Sequence, residues 1–510
     1  MELGQSNYKR IAKNTVFLYI RMLFGLVVSL FTSRILLQAL GVVDYGLNNV
    51  VGGVVTLFAI ITACLNTATA RFLTIELGKG NIVGMREIYS NTNTLYLFVG
   101  IITFLLEETI GLFIVNKVLV IPPTRLFACN VLYQTIVITS MLSLLKVPSG
   151  ALIISYEKMD VYAYIGVADI ILKCLIVYVV MITTYDKLIV YSIIHLLVVS
   201  LIIFYQLFYC KKQFANVYNL TLRYNKSLLR SMVGFSFWNI IGSAAFILRI
   251  QGVNVLLNIF FGPIVNAANA IAYQVNSAIN GFVSNFTTAV NPQIIKSYSA
   301  QEFETMKNLI YRAGKFSYFL LLLLCMPILF ETNYVLHLWL GDRVPDYTVI
   351  MTRLVLLIAM VESFTYSIGC AVNANGNIRN YQLVICGIML TIFPMAWFMF
   401  KIGMPPYFGL IDYLITSIVA LIARFYFMKH LLGIQPFDYI NKVYYKVILV
   451  TLISIAIPFL YLFLTEESIF RFLTMVILVE ICTILSIWLL GLDSKEKSLV
   501  YNYVRKLIHK

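Results

Sequence analysis

Apolar runs of about 20 residues or more, parted by short polar stretches, recur from one end of the chain to the other. A run of that length is what a helix needs to cross the hydrocarbon core of a bilayer. Fourteen are read, at 14–40, 46–75, 91–115, 124–155, 159–183, 188–210, 231–260, 265–296, 310–333, 346–372, 380–400, 407–430, 443–464 and 468–491. In lipid each backbone polar group has to find its partner inside its own segment, so every run is predicted to be helical and the fold class is an all-α polytopic membrane protein. Residues 1–13 are polar, and the run that follows them contains Arg21 and Arg34 and reaches about Leu40. That is too long for the core of a signal peptide, and the run is read as a retained first span.

The same spacing of marks occurs twice. Leu36-Leu37 and Gly41 correspond to Leu256-Leu257 and Gly262, Thr67-Ala68 to Thr288-Ala289, and Met85-Arg86 to Met306-Lys307, at an offset close to 220. Six spans fall in each half. An even number makes the halves parallel, related by a pseudo-two-fold axis along the membrane normal. The expected organisation is a six-helix lobe over 1–212, a basic cytoplasmic linker over 213–230, a second six-helix lobe over 231–432, and over 433–510 two further transmembrane helices with a basic tail.

Composition agrees with the membrane reading. Of the 510 residues, 60% are hydrophobic and 12% charged, against roughly 45–50% and 25% in soluble globular chains. So few charges could not cover that much apolar side chain in water. This excludes a disordered chain, a secreted disulfide scaffold and a soluble enzyme. The net charge of +15 points to asymmetric loops rather than to nucleic acid, and no nucleic-acid partner is expected. With fourteen spans, and residues near the soft span ends counted with the adjoining loops, 24 of the 38 Lys+Arg fall on the N-terminus, the even-numbered loops and the C-terminal tail, six on the other loops and eight deeper within spans. The positive-inside rule then places both termini in the cytoplasm. The eight Cys and four His show no ligand spacing, so neither a metal nor a cofactor is expected. No phosphate-cradling glycine loop and no nucleophile elbow occurs.

Polar residues inside the spans carry the candidate chemistry. In the eighth span Asn269, Tyr273, Asn276, Asn280, Ser284, Thr287 and Asn291 recur at intervals of three and four, which puts them on one helix face. The stripe rises about 33 Å, the depth of the bilayer. Helix-to-helix hydrogen bonding accounts for one or two such residues. A stripe of this length is better explained by a water-filled cavity, since lipid would not tolerate it. Arg249 lies near the middle of the seventh span beside Gly242, Ala245 and Gly252 and cannot easily snorkel, which favours a ligand-binding role. Arg21 and Arg71 lie near cytoplasmic span ends, where a cavity role and snorkelling both stand. Arg34 near the outer end of the first span and Asp44 just beyond it suggest an ion pair at a gate, or an interfacial arginine with an unrelated loop aspartate. Ion coupling has three candidates. Glu362 stands alone in the tenth span. Asp169 and Lys173, at i and i+4 in the fifth, can instead simply neutralise one another. Glu107-Glu108 and Glu466-Glu467 are read as solvated span ends.

Residues 8–53 (YKRIAKNTVFLYIRMLFGLVVSLFTSRILLQALGVVDYGLNNVVGG), residues 69–81 (TARFLTIELGKGN) and the segment from Leu145-Lys146-Val147-Pro148 through Tyr156-Glu157-Lys158-Met159 resemble the Wzx-type oligosaccharide-lipid flippases of the multidrug/oligosaccharidyl-lipid/polysaccharide exporter superfamily. The resemblance covers essentially the whole chain, with loose motifs. It implies a transporter in the bacterial inner membrane that moves an undecaprenyl-diphosphate-linked glycan from the cytoplasmic to the outer leaflet for polysaccharide or O-antigen synthesis. It places Arg21, Arg71 and Arg249 in a central cavity and Arg34 and Asp44 at an outer gate; coupling to Na+ or H+ is read from the lone intramembrane carboxylate Glu362. Membrane lipids and the polysaccharide polymerase and assembly proteins are the partners the resemblance implies. A drug/cation antiporter of the same superfamily is the first rival, and would favour acidic over arginine-rich cavity walls. A membrane-embedded glycan polymerase or ligase is the second, and the short outer loops disfavour it.

Overall fold

A computed structural model describes residues 2–58, 69–70, 72–156, 158–219, 221–375, 378–494, 496–498 and 501, with the side chains of 2–23, 159, 162, 228, 230–241, 243, 288, 289 and 292 left aside. Every regular element among the described residues is helical. Eleven helices are long and apolar enough to cross a membrane, and twelve with the pair Thr348–Glu362 and Thr365–Asn375, bent by 40° at its break. The protein is therefore an all-α, multi-pass membrane protein.

The difference from the fourteen runs of the sequence has two sources. The runs 14–40 and 46–75 follow one another without a loop along Glu2–Phe58, two helices joined at a kink at Gly41, and part of the second run lies outside the described residues. The run 265–296 does form a helix, Pro263–Ser299, but its Asn, Ser and Thr residues lower its hydropathy below that of a membrane span.

The repeat marks prove to be turning points. Gly41 interrupts the first helix with φ 81° and ψ 167°, and Gly262 parts Lys226–Phe261 from Pro263–Ser299 with φ 79°. Nothing crowds a Cβ at either position, so the requirement is the left-handed backbone that only glycine adopts freely. Two long helix pairs thus turn at equivalent residues of the 220-residue offset.

The chain forms two compact units, Met1–Ala270 with Ala396–Pro406 and Ile271–Met395 with Tyr407–Lys510. In the first, Leu47, Val50, Val54, Leu132, Tyr133 and Val137 belong to one buried core, and Met85, Tyr89, Leu152 and Cys210 to another. In the second, Val283, Leu321, Leu356, Ile368, Val450 and Val479 share a single large core. Large apolar side chains such as Phe127, Ile182, Phe463 and Leu464 point outward, as lipid requires.

The connection after Gln213 is strapped to the helix Ile82–Leu106. Asn93 Nδ2 donates to the Asn219 carbonyl at 2.9 Å and Thr94 Oγ1 to that of Arg223 at 2.7 Å. The Ser90 hydroxyl bonds the Thr221 carbonyl. The Asn225 amide N–H donates to Asn91 Oδ1 at 2.6 Å, and its side chain to Glu87 Oε1 at 2.9 Å.

Candidate functional site

Asparagines tie three helical segments together within the first unit. Asn254 on Lys226–Phe261 donates from Nδ2 to Asn49 Oδ1 at 2.9 Å. Asn266 Nδ2 donates to the Asn254 carbonyl at 2.7 Å and to its Oδ1 at 2.9 Å, and Asn269 Nδ2 reaches the same Oδ1 at 3.3 Å. Asn258 donates from Nδ2 to Asn266 Oδ1 at 2.9 Å, and its Oδ1 accepts from the Val120 amide N–H at 2.7 Å. A Cβ on Gly46 would collide with the Pro263 carbonyl, and one on Gly53 would sit 2.6 Å from Gln251 Oε1. The glycines bring the backbones close, and the amides fix the register.

Asn269, 4% exposed, therefore serves a helix-to-helix hydrogen bond at the N-terminal end of the polar stripe. Further along, in the second unit, Tyr273, Asn276, Asn280, Ser284 and Asn291 are partly exposed. Asn280 Nδ2 donates to Asn276 Oδ1 at 2.6 Å, an i,i+4 pair along the face.

Arg249 is 2% exposed, with its guanidinium carbon 5.3 Å from the Phe246 ring centroid. Arg71 lies outside the described residues, as does the side chain of Arg21. Arg34 is half-buried. Asp44 engages an arginine that the sequence reading did not choose. Arg125 donates from Nε to Asp44 Oδ1 at 2.8 Å and from Nη2 to Oδ2 at 2.6 Å. Its Nη1 donates at 2.5 Å to Asp186 Oδ2. Asp186 also caps Lys187–Gln213 by accepting the amides of Leu188 and Ile189. Arg125, through its hydrogen bonds and charge, holds the Asp186 carboxyl below the usual aspartate range.

Asp169 and Lys173 form their i,i+4 ion pair at 2.8 Å, partly exposed. Glu362 ends the helix before the 40° bend and accepts from Ser417 Oγ at 3.3 Å. Two further acids were not among the sequence candidates for coupling. Asp412, buried within Phe408–Leu432, has one carboxylate oxygen without a hydrogen bond. Glu107, expected to be solvated, is 1% exposed, because the chain after Leu106 continues as a π-helical turn instead of leaving the bundle. The signal for Asp412 was available, since an acid inside an apolar run is costly. Arg471 and Lys315, near the starts of the runs 468–491 and 310–333, are both buried. Arg471 pairs with Glu331 through two bonds at 2.9 and 2.8 Å, and Lys315 with Glu496 at 2.6 Å. Among the described residues no group of His, Cys, Asp and Glu is arranged to hold a metal ion.

Two helix pairs broken at glycine, a buried arginine within a long apolar helix and a polar helix amid apolar ones define the class, a multi-pass all-α membrane bundle. Several known structures share its fold. The lipid II flippase MurJ, in its inward closed conformation, is 12% identical and aligns over 92% of this chain and 97% of its own with a TM-score of 0.68. An inward-facing multidrug MATE-family transporter is 14% identical over 82% of this chain and 98% of its own, with a TM-score of 0.59. A superfamily transporter from Pyrococcus furiosus, described as having a binding pocket of reverse polarity, is 13% identical over 82% and 96%, with a TM-score of 0.58. These are flippases and transporters, not enzymes. No protein-family model matches the chain, and no curated protein sequence does.

Proposed function

We propose that the protein is a flippase that carries an undecaprenyl-diphosphate-linked oligosaccharide from the cytoplasmic to the outer leaflet for polysaccharide synthesis. The observation that carries the reading is Arg249, a guanidinium buried within a membrane-spanning helix of a fold shared with a lipid flippase. A diphosphate needs cations shielded from lipid, and the planar guanidinium offers it paired hydrogen bonds. The half-exposed Tyr273, Asn276, Asn280 and Asn291 supply neutral partners for sugar hydroxyls, while the polyprenyl chain stays in lipid. Arg21 and Arg71 add charge toward the cytoplasmic end, and Arg34 and Asp44 belong to the outer gate. The helix Pro263–Ser299 and the second half of the first helix complete fourteen spans, as two six-helix lobes over 1–212 and 231–432, the linker 213–230 and a final pair within 433–510. Both termini then lie in the cytoplasm and access alternates between the two faces.

Arg249→Ala is expected to abolish export of the lipid-linked glycan at unchanged membrane abundance. Arg249→Lys retains a small fraction, since charge remains but the fork is lost. Normal export by the alanine variant would remove Arg249 from the site. A second reading, an ion-coupled drug antiporter, is favoured by the buried acids Glu107 and Asp412 and by the likeness to MATE-family transporters. Uptake of organic cations by proteoliposomes with no movement of lipid-linked glycan would establish it instead.

A further inference from the structure

A cavity of about 300 Å³ lies within the first unit, walled by the helices Glu2–Phe58, Ile82–Leu106 and Leu126–Ser155. Its polar lining is Thr56, Thr103, Glu107, Thr139, Ser140 and Ser143. Three of these hydroxyl protons are already committed along their own helices. Thr56 donates to the Gly52 carbonyl at 2.9 Å, Thr103 to Val99 at 2.8 Å and Thr139 to Thr135 at 2.7 Å. A hydroxyl with its proton engaged offers only oxygen lone pairs. The wall is thus rich in acceptors, and among the described residues no lysine or arginine lines it.

Glu107 is poorly served by these neighbours. Ser140 Oγ lies 3.1 Å from its Oε1 and 3.2 Å from its Oε2, but also 3.0 Å from the Val137 carbonyl. One hydroxyl proton is therefore shared among three acceptors, and it is the only donor the carboxylate has among the described residues. The other ionisable groups close by give no counter-charge. Tyr133 spends its hydroxyl on the Glu107 carbonyl at 2.5 Å, in the space left by Gly111. Glu108, next in sequence, turns to Gln134 at 3.2 Å. A buried carboxylate with one shared donor calls for a cation or a proton. A proton needs the carboxylate alone. An alkali cation needs a shell of oxygens, as hard cations do, and the cavity has room for it with several waters at about 30 Å³ each.

We propose that Glu107, with the hydroxyl oxygens of Thr56, Thr103, Thr139, Ser140 and Ser143, forms a binding site for a hydrated Na+-sized alkali cation. The site stands on its own geometry. Its use in driving transport rests on the transporter reading above.

The test measures equilibrium binding of ²²Na+ to the full-length protein in lipid nanodiscs, so its outcome does not depend on which substrate is moved. The wild type is expected to bind Na+ saturably, and Glu107→Gln to lose at least tenfold in affinity. Since Glu107→Gln could also disturb packing, Thr103→Val serves as the second variant. It keeps the carboxylate and removes one ligand oxygen, and should weaken Na+ several-fold. Na+, but not choline at equal ionic strength, should raise the thermal stability of the wild type and leave that of Glu107→Gln unchanged. Saturable binding that survives both substitutions overturns the assignment. So does a wild type that takes up protons at Glu107 but binds no Na+. A protein that binds Na+ in this manner and flips no glycan would refute the proposed function and leave the cation site standing.

Discussion

Replacing Asn254 should loosen the first unit by an amount the hydrogen bonds allow to be calculated. Its side chain takes part in three contacts with other asparagine side chains: it donates to Asn49 and accepts from Asn266 and Asn269. Interhelical hydrogen bonds in membrane proteins contribute about 0.6 kcal/mol each on average. Asn254→Leu should therefore cost about 1.8 kcal/mol, roughly a twentyfold change in an opening equilibrium, since about 1.4 kcal/mol is a factor of ten. Asn269→Ala removes only the 3.3 Å bond and should cost about 0.6 kcal/mol, roughly threefold. Cys129 is a suitable reporter, being fully buried in the same core as Leu47, Val50 and Val54. In a background where it is the single cysteine, the rate of maleimide labelling in nanodiscs reports how often that core opens. The expected order is Asn254→Leu well above Asn269→Ala, with wild type slowest. Equal labelling of wild type and Asn254→Leu would show that the amide network adds nothing, and that close glycine packing alone joins these helices.

Two other perturbations address charge. Arg471→Ala leaves Glu331 buried without its bidentate partner and should cost about 3–5 kcal/mol, whereas Arg471→Met with Glu331→Leu should be near neutral, as thermal unfolding in detergent would reveal. For Asp186 the sign follows from its lowered pKa. Its pairing with Arg125 stabilises the folded state fully above the ordinary aspartate value and is lost as pH falls through the depressed one. Unfolding followed by circular dichroism should show a destabilisation at low pH that is smaller in Asp186→Asn, and an identical pH profile in the two proteins would refute the role.

The helical class was legible because a bilayer leaves a chain few choices, and Gly41 and Gly262 were legible as repeat marks before their backbone angles gave them a reason. The pair Asp169–Lys173 was legible because both residues lie on one helix one turn apart. Arg125 was not, since its partners Asp44 and Asp186 lie 81 and 61 residues away and nothing local selects them. Asn269 belongs by periodicity to a polar stripe, yet its neighbour across the helix pair, Asn254, decides what it does. Glu107 sits where an apolar run weakens. Whether such a residue is wet or dry depends on the helix going on for another turn and on Leu126–Ser155 lying over it.

The strap over the Gln213–Lys226 connection changes what that segment is good for. As a long connection among the described residues, it would be the natural choice for an inserted epitope tag or a protease site. Its carbonyls, however, are held by Ser90, Asn93 and Thr94. A protease has to peel the segment off a helix before it can seat it as an extended strand. An insertion there would cut across the points at which the segment is pinned. The tight turn at Gly78-Lys79-Gly80 is exposed, and although far shorter it is the better place to open or tag this chain from the same side.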